Sequence, residues 1–314
     1  NGQTVEKGIG FPTCISVNEC VCHNSPLESE AASQAPLADG DVVKIDLGVH
    51  IDGFIAVVAH SLIVGSTASP EAPQDGPLGN IFTAAHVCSE VATKMVRSGN
   101  TNIQVSAALK QVAETYGVNL VAGTLSHQMK RYVIDGNKVI LLREETESKV
   151  DECSLEMNEV YAMDVALSTG EGKPRESEQR NTVFKRAVDK SYRLKMRASR
   201  YLFNEVNSKF PTLPFTLRAF EDERQARMGV VECLKHDLVH AYPALYERPG
   251  DIVVHFKFTL LLLPSGTVRI TGVPVNPATF TTDKTPDEAT AAILSQSSKK
   301  KKRKPKKKKA AAEE

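Results

Sequence analysis

The stretch that most constrains this chain is 41–60, DVVKIDLGVHIDGFIAVVAH. β-Branched and aliphatic residues crowd Val42-Val43-Lys44-Ile45-Asp46-Leu47 and Phe54-Ile55-Ala56-Val57-Val58-Ala59, the make-up of two short strands. Gly48 and the pair Asp52-Gly53 supply the bend, Asp-Gly being a strong hairpin signal. Asp46 is the odd member, a carboxylate in an apolar run. By residue type alone a strand aspartate faces solvent more often than core. If buried, it needs hydrogen bonds, a cation or a metal.

Two further blocks flank the hairpin: GIGFPTCISVNECVCH upstream and NEVYAMDVALSTGEG downstream. From Lys7 to Pro274 the three blocks, in this order, resemble the methionine aminopeptidase superfamily, type II branch. They resemble more closely the proliferation-associated (ErbB-3 receptor-binding) protein family, a non-peptidase offshoot of that branch. The resemblance implies an α/β (α+β) pita-bread fold, a curved antiparallel sheet with helices outside and a site in its concave face. It also implies a small helical, winged-helix-like insertion.

An aminopeptidase of this class holds two divalent metals about 3.5–4 Å apart, and the resemblance assigns them two Asp, two Glu and one His. The first Asp falls on Asp46. The second, bridging Asp falls on Val57, whose isopropyl group donates nothing to a metal. The histidine falls on His127, the first Glu on Asp164, and the last, bridging Glu on Lys257. Asp46 and Asp164 against Lys257 sum to −1 without any metal, where four carboxylates would balance two dications. Lys257 is therefore expected to stand in for the metal, with no cofactor bound and no peptidase activity; an exposed strand lysine is the plainer alternative. His23, in CVCHNSP, matches the substrate-positioning histidine, and a hydrogen-bonded strand-end histidine is its plainer reading.

The 314 residues can bury a sizeable core, and 41% hydrophobic content is ordinary for a globular chain. The chain opens at Asn1 without a Met, as a fragment does, and the resembled family carries a further helical segment before GIGFPT. Six cysteines are scattered, without a secretory signal or a long apolar run, which fits reduced thiols in the cytosol or nucleus and no membrane insertion. Cys20, Cys22 and His23 have no second Cys/His pair at finger spacing, so they read as a strand rather than a zinc site.

Period and turn signals place helices at 80–97 and 102–116, the second closed by Gly117, and strands at 132–134, 139–142, 159–166 and 251–263. Helical runs at 190–209 and 221–238 interrupt the strands. Thr285-Pro286-Asp287-Glu288 reads as a helix start with Thr285 as N-cap. The expected organisation is a pita-bread domain over 1–189 and 244–284, a helical insertion over 190–243, and a short helix with a disordered tail over 285–314.

Charge is unevenly spread. The run 299–309 holds Lys299, Lys300, Lys301, Lys302, Arg303, Lys304, Lys306, Lys307, Lys308 and Lys309. Removing these ten and the two final glutamates leaves 29 basic against 36 acidic residues, so 1–298 carries about −7. Within that acidic body lies a second basic cluster: Lys185, Arg186, Lys190, Arg193, Lys195, Arg197 and Arg200, with Asp189 as the single acid between them. Arg193, Arg197 and Arg200 recur at helical spacing. A solvated helix face explains them as well as a phosphate-binding face does. The tail likewise reads as a solubility segment, a nuclear or nucleolar address, or an RNA-binding arm. The resemblance favours RNA: it implies a catalytically inactive factor that docks on the large ribosomal subunit and its ribosomal RNA near the peptide exit. It further implies a role in translation and ribosome biogenesis, growth-signalling and nuclear protein partners, and cytoplasmic, nuclear and nucleolar residence. An active dinuclear enzyme and a peptide-binding adaptor are the alternatives.

Overall fold

Asp52 (φ 48°) and Gly53 (φ 79°) both take the left-handed backbone, which a two-residue hairpin turn matched to right-handed strand twist requires. They close Val42–Ile51 against Phe54–Ile63 in unbroken register, so both strands run longer than the sequence predicts. Gly48 plays no part in the bend. It lies within the first strand, where a Cβ would come 2.8 Å from the backbone nitrogen of Phe11.

The computed structural model describes residues 5–144, 149–177 and 180–297; the lysine run 299–309, for which the sequence predicts disorder, lies outside the described residues. In chain order the first half holds β1 (Lys7–Val17), β2 (Cys20–Cys22), β3 (Val42–Ile51), β4 (Phe54–Ile63), α1 (Gly76–Met95) and α2 (Asn102–Tyr116). Next come β5 (Asn119–Leu120), β6 (Leu125–Met129), β7 (Val139–Leu141), β8 (Val160–Ser168), β9 (Arg175–Glu176) and β10 (Val183–Arg186). The remainder holds α3 (Arg197–Lys209), β11 (Phe215–Thr216), α4 (Glu223–Lys235), β12 (Val239–Tyr242), β13 (Leu245–Tyr246), β14 (Val253–Leu263), β15 (Gly266–Arg269) and α5 (Glu288–Leu294).

One nine-stranded sheet runs in the order β1-β3-β4-β14-β8-β6-β7, with β15 beside β14 and β5 beside β8. This is the pita-bread arrangement. Its outer face buries Phe256, Phe258, Met163 and Val165 against Ile81, Ala85 and Cys88 of α1 and Leu109 and Val112 of α2. α2 begins with a capping box between Thr101 and Gln104 and ends at Gly117 in the left-handed conformation (φ 61°), each feature satisfying backbone groups the helix leaves open.

A second sheet, β11-β10-β12, carries α3 and α4 and encloses its own core of Phe184, Leu202, Val206, Phe215 and Val230. β10 joins this sheet through its antiparallel pairing with β12. The helical run predicted over 190–209 starts only at Arg197. Ahead of it the chain is irregular and held in place: the Tyr192 ring stacks on His236 at 3.5 Å, and Glu232 accepts the N–H groups of Lys195 (2.9 Å) and Met196 (3.0 Å). That carboxylate, contributed by α4, satisfies donors at the α3 N-terminus. The expected strand at 132–134 is a tight turn with Tyr132 at φ 61°. The α5 cap is Asp287, which accepts from Thr290 N–H at 2.7 Å, rather than Thr285.

Candidate functional site

The register of the large sheet builds the site. Asp46 pairs with Ala59, Ala59 with Lys257, and Lys257 with Asp164, one line across β3, β4, β14 and β8. Directly paired residues point to the same face. Neighbouring strands lie ~4.8 Å apart, so Asp46 and Lys257 are two strand spacings apart with only the methyl of Ala59 between them. The long lysine side chain crosses that gap: Nζ lies 2.7 Å from Asp46 Oδ2 and 3.5 Å from Asp164 Oδ2. It also sits 5.0 Å from the Phe11 ring centroid, a cation–π contact. All three charged groups are buried: 3% exposed for Asp46, 8% for Asp164 and 8% for Lys257.

His255, two residues before Lys257 on the same face of β14, places Nε2 against Asp164 Oδ1. The Asp164 N–H donates to Ser126 Oγ at 2.8 Å. Burial alone would raise the Asp164 pKa, but Lys257 and His255 outweigh it and hold the carboxyl below its usual range. Burial likewise acts to lower Lys257, and Asp164 and Asp46 reverse this, holding the ammonium above its ordinary value. Lys257 is thus a fixed cation. Asp46 Oδ1 is buried without a hydrogen-bond partner among the described residues.

The other expected positions gather around this cluster. Val57 and His127 line a cavity of about 240 Å³ together with Lys257, Asp164 and His255. His127 pairs across with Ala162 on β8, so it faces the same side as Asp164, and its Nδ1 lies 3.5 Å from the Gly136 carbonyl. Burial lowers its pKa. His23 also lines the cavity, at the end of β2 with φ 63°, its Nδ1 3.0 Å from the Pro243 carbonyl. Phe11 and Tyr242 flank its ring, with centroids at 5.8 and 5.4 Å. Burial, and then Lys257, push its pKa down to about 4, so it is neutral at physiological pH. Cys20 and Cys22 lie on β2, as the strand reading has it.

These residues do not fit a pair of divalent metals. Two of the three carboxylate positions needed beside Asp46 are held by a valine and a lysine. A dication approaching Asp46 or Asp164 meets the Lys257 ammonium, and like charges ~4 Å apart repel by several kcal/mol at an effective dielectric near 20. Among the described residues no group of three or more His, Cys, Asp or Glu is placed to hold a metal.

The basic cluster divides in two. Lys185 is engaged by both oxygens of Asp135, and Arg186 lies over the Phe203 ring and donates to the Pro211 carbonyl. Lys190, Arg193, Lys195, Arg197 and Arg200 are exposed. Because 190–196 is not helical, Arg193 does not share a helix face with Arg197 and Arg200; it lies in the irregular segment clamped by His236 and Glu232. Arg200 donates to the carbonyls of Leu194 and Lys195, which fixes the same segment. Sequence reasoning missed His255, Glu232 and His236. His255 carried a signal in its same-face spacing to Lys257, whereas the other two act through tertiary contacts alone.

Comparison with known proteins agrees with the sheet. The family described as metallopeptidase family M24 matches residues 2–173. ErbB-3 binding protein 1 of Solanum tuberosum is 49% identical over 270 residues, 86% of this chain and 67% of that protein. The curved DNA-binding protein of Schizosaccharomyces pombe is 38% identical over 265 residues, 83% of this chain and 68% of that protein. The solved structure of a thermophilic Arx1 superposes with a TM-score of 0.87 at 28% identity, covering 95% of this chain and 86% of that one. With these similarities over most of its length, the chain belongs to metallopeptidase family M24, in the branch that contains ErbB-3 binding protein 1.

Proposed function

We propose that this chain is a non-catalytic methionine-aminopeptidase-like factor that binds structured RNA. Its platform in this reading is ribosomal RNA of the large ribosomal subunit near the peptide exit, with a role in translation and ribosome biogenesis. The observation that carries it is the 2.7 Å ion pair of Lys257 with Asp46, a fixed cation where catalysis would need metal-binding carboxylates. The nucleic-acid half is supported by the exposed cations at 190–200, held in a clamped conformation on a body that is otherwise acidic. It is supported too by similarity to a protein named for binding curved DNA. Growth-signalling protein partners and a distribution over cytoplasm, nucleus and nucleolus complete the reading.

The test is co-sedimentation with large ribosomal subunits over a salt series, with crosslinks mapping the docked position. Reversing Arg193, Lys195 and Arg197 to glutamate is expected to abolish defined docking and flatten the salt dependence, each lost phosphate contact lowering the slope by about 0.9 at most. Deleting 299–314 is expected to weaken binding at low salt and leave the docked position unchanged. Docking unchanged by either alteration contradicts the reading.

A further inference from the structure

Helix α4 has more apolar surface than its own packing uses. Ala226, Gly229, Val230 and Cys233 form its buried face. A helix packed on one side carries polar and charged residues on the other, yet Met228, Val231 and Leu234 stand there at spacings of three, 49%, 63% and 37% exposed. Met196, ahead of the first turn of α3, adds a fourth exposed apolar side chain. The start of α3 lies against the middle of α4. Glu232 holds the Met196 N–H at 3.0 Å, and a Cβ on Gly229 would come 2.4 Å from the Ala198 carbonyl oxygen. Single exposed apolar residues are ordinary, whereas a contiguous group rimmed by charge marks an interaction surface.

The rim is of one sign. Arg224 and Lys235, one turn before Met228 and one turn after Val231, are exposed, as are Lys195 and Arg197 on either side of Met196. None of the four forms an ion pair with a described carboxylate. The two carboxylates of α4 are taken up within the protein: Glu223 accepts from Glu28 N–H and Ser29 Oγ, and Glu232 from the N–H groups of Lys195 and Met196. The exposed acids Asp222 and Asp237 lie beyond the two ends of the helix.

Apolar side chains between cations complement a segment whose own apolar stripe runs between carboxylates. A phosphate backbone would meet the cations and leave Met228, Val231 and Leu234 uncovered, so the apolar half of the surface favours protein over nucleic acid. Two methionines among the four apolar residues suit a surface that moulds to its partner. We propose that this face of α4 docks an acidic amphipathic helix of a partner protein. Met228, Val231 and Leu234 have no part in the RNA reading, although Lys195 and Arg197 border both surfaces.

Three labelled helical peptides test this by fluorescence anisotropy with the full chain at moderate salt. The first has leucines at helical spacing between glutamates, the second has lysines in place of the glutamates, and the third has serines in place of the leucines. The first should bind about tenfold or more tightly than either of the others. It should also shift the Met196 and Met228 methyl resonances. Met228→Ser combined with Val231→Ser should weaken its binding about tenfold and leave co-sedimentation with large ribosomal subunits unchanged. If that variant fails to fold, the peptide ranking and the two methyl shifts in the wild type decide. No binding of the first peptide, equal binding of all three, methyl resonances that do not move, or full affinity in the folded double variant would overturn the inference. So would a loss of subunit binding in that variant, which would assign the face to RNA.

Discussion

Two clusters of charge in this molecule are built in opposite ways. In the large sheet, Asp46, Lys257, Asp164 and His255 are buried and face one another across four strands. Beside the smaller sheet, Arg193, Lys195 and Arg197 are exposed and form no ion pair with a described carboxylate. The first cluster pairs its charges internally and serves the fold. The second leaves its charge for a partner. A cationic side chain alone says little about function; what it faces decides.

The comparison is broken most severely by removing the lysine. Lys257→Ala leaves two buried aspartates without their cation and is expected to destabilise the protein by roughly 3–5 kcal/mol in urea unfolding. Added divalent metal should recover part of the loss. An unchanged unfolding midpoint would make Lys257 a bystander.

The second expected effect is on pH. The folded-state pKa of His23 is lowered to about 4, so the folded state resists a proton that the unfolded chain takes up near 6.5. Stability is therefore highest above that value and falls as the pH drops towards the folded value. Between pH 7 and pH 5 the wild type should lose roughly 2 kcal/mol more than His23→Gln, measured by urea unfolding at each pH. Parallel curves for the two proteins would show that His23 is not held neutral by burial.

Glu232→Gln sharpens the comparison from the other side. It weakens the charge-assisted acceptance of the Lys195 and Met196 N–H groups. The expected outcome is a melting temperature lowered by a few degrees together with weaker RNA binding, because the basic segment loses its fixed shape. The smallest effect on stability belongs to the surface cations themselves. Arg193→Glu, Lys195→Glu and Arg197→Glu combined should leave stability within ~0.5 kcal/mol of the wild type, while docking is lost. A large loss of stability would place these residues in the fold rather than at an interface.

Much of this was legible in the chain. Asp-Gly fixed the hairpin, Gly117 fixed the end of α2, and the motif order pointed to the sheet. Lys257 was expected to stand in for the metal, with an exposed strand lysine as the alternative, and it lies buried against both Asp46 and Asp164. The registry that makes them possible, with Ala59 as the gap the lysine crosses, was not legible, since strand pairing depends on residues two hundred positions apart. The start of α3 was misplaced for a related reason. The run 190–196 has helical spacing, but Tyr192–His236 stacking and the Glu232 cap override local preference. Strand β6, which carries His127, was missed because five residues of mixed polarity give no clear period.

The central claim is that Lys257 occupies the place of metal. Metal content of the purified protein after incubation with cobalt, manganese or zinc and gel filtration tests it most directly. The account predicts well below one equivalent of metal per chain for each ion. About two tightly held equivalents, the complement of a dinuclear aminopeptidase, would contradict it.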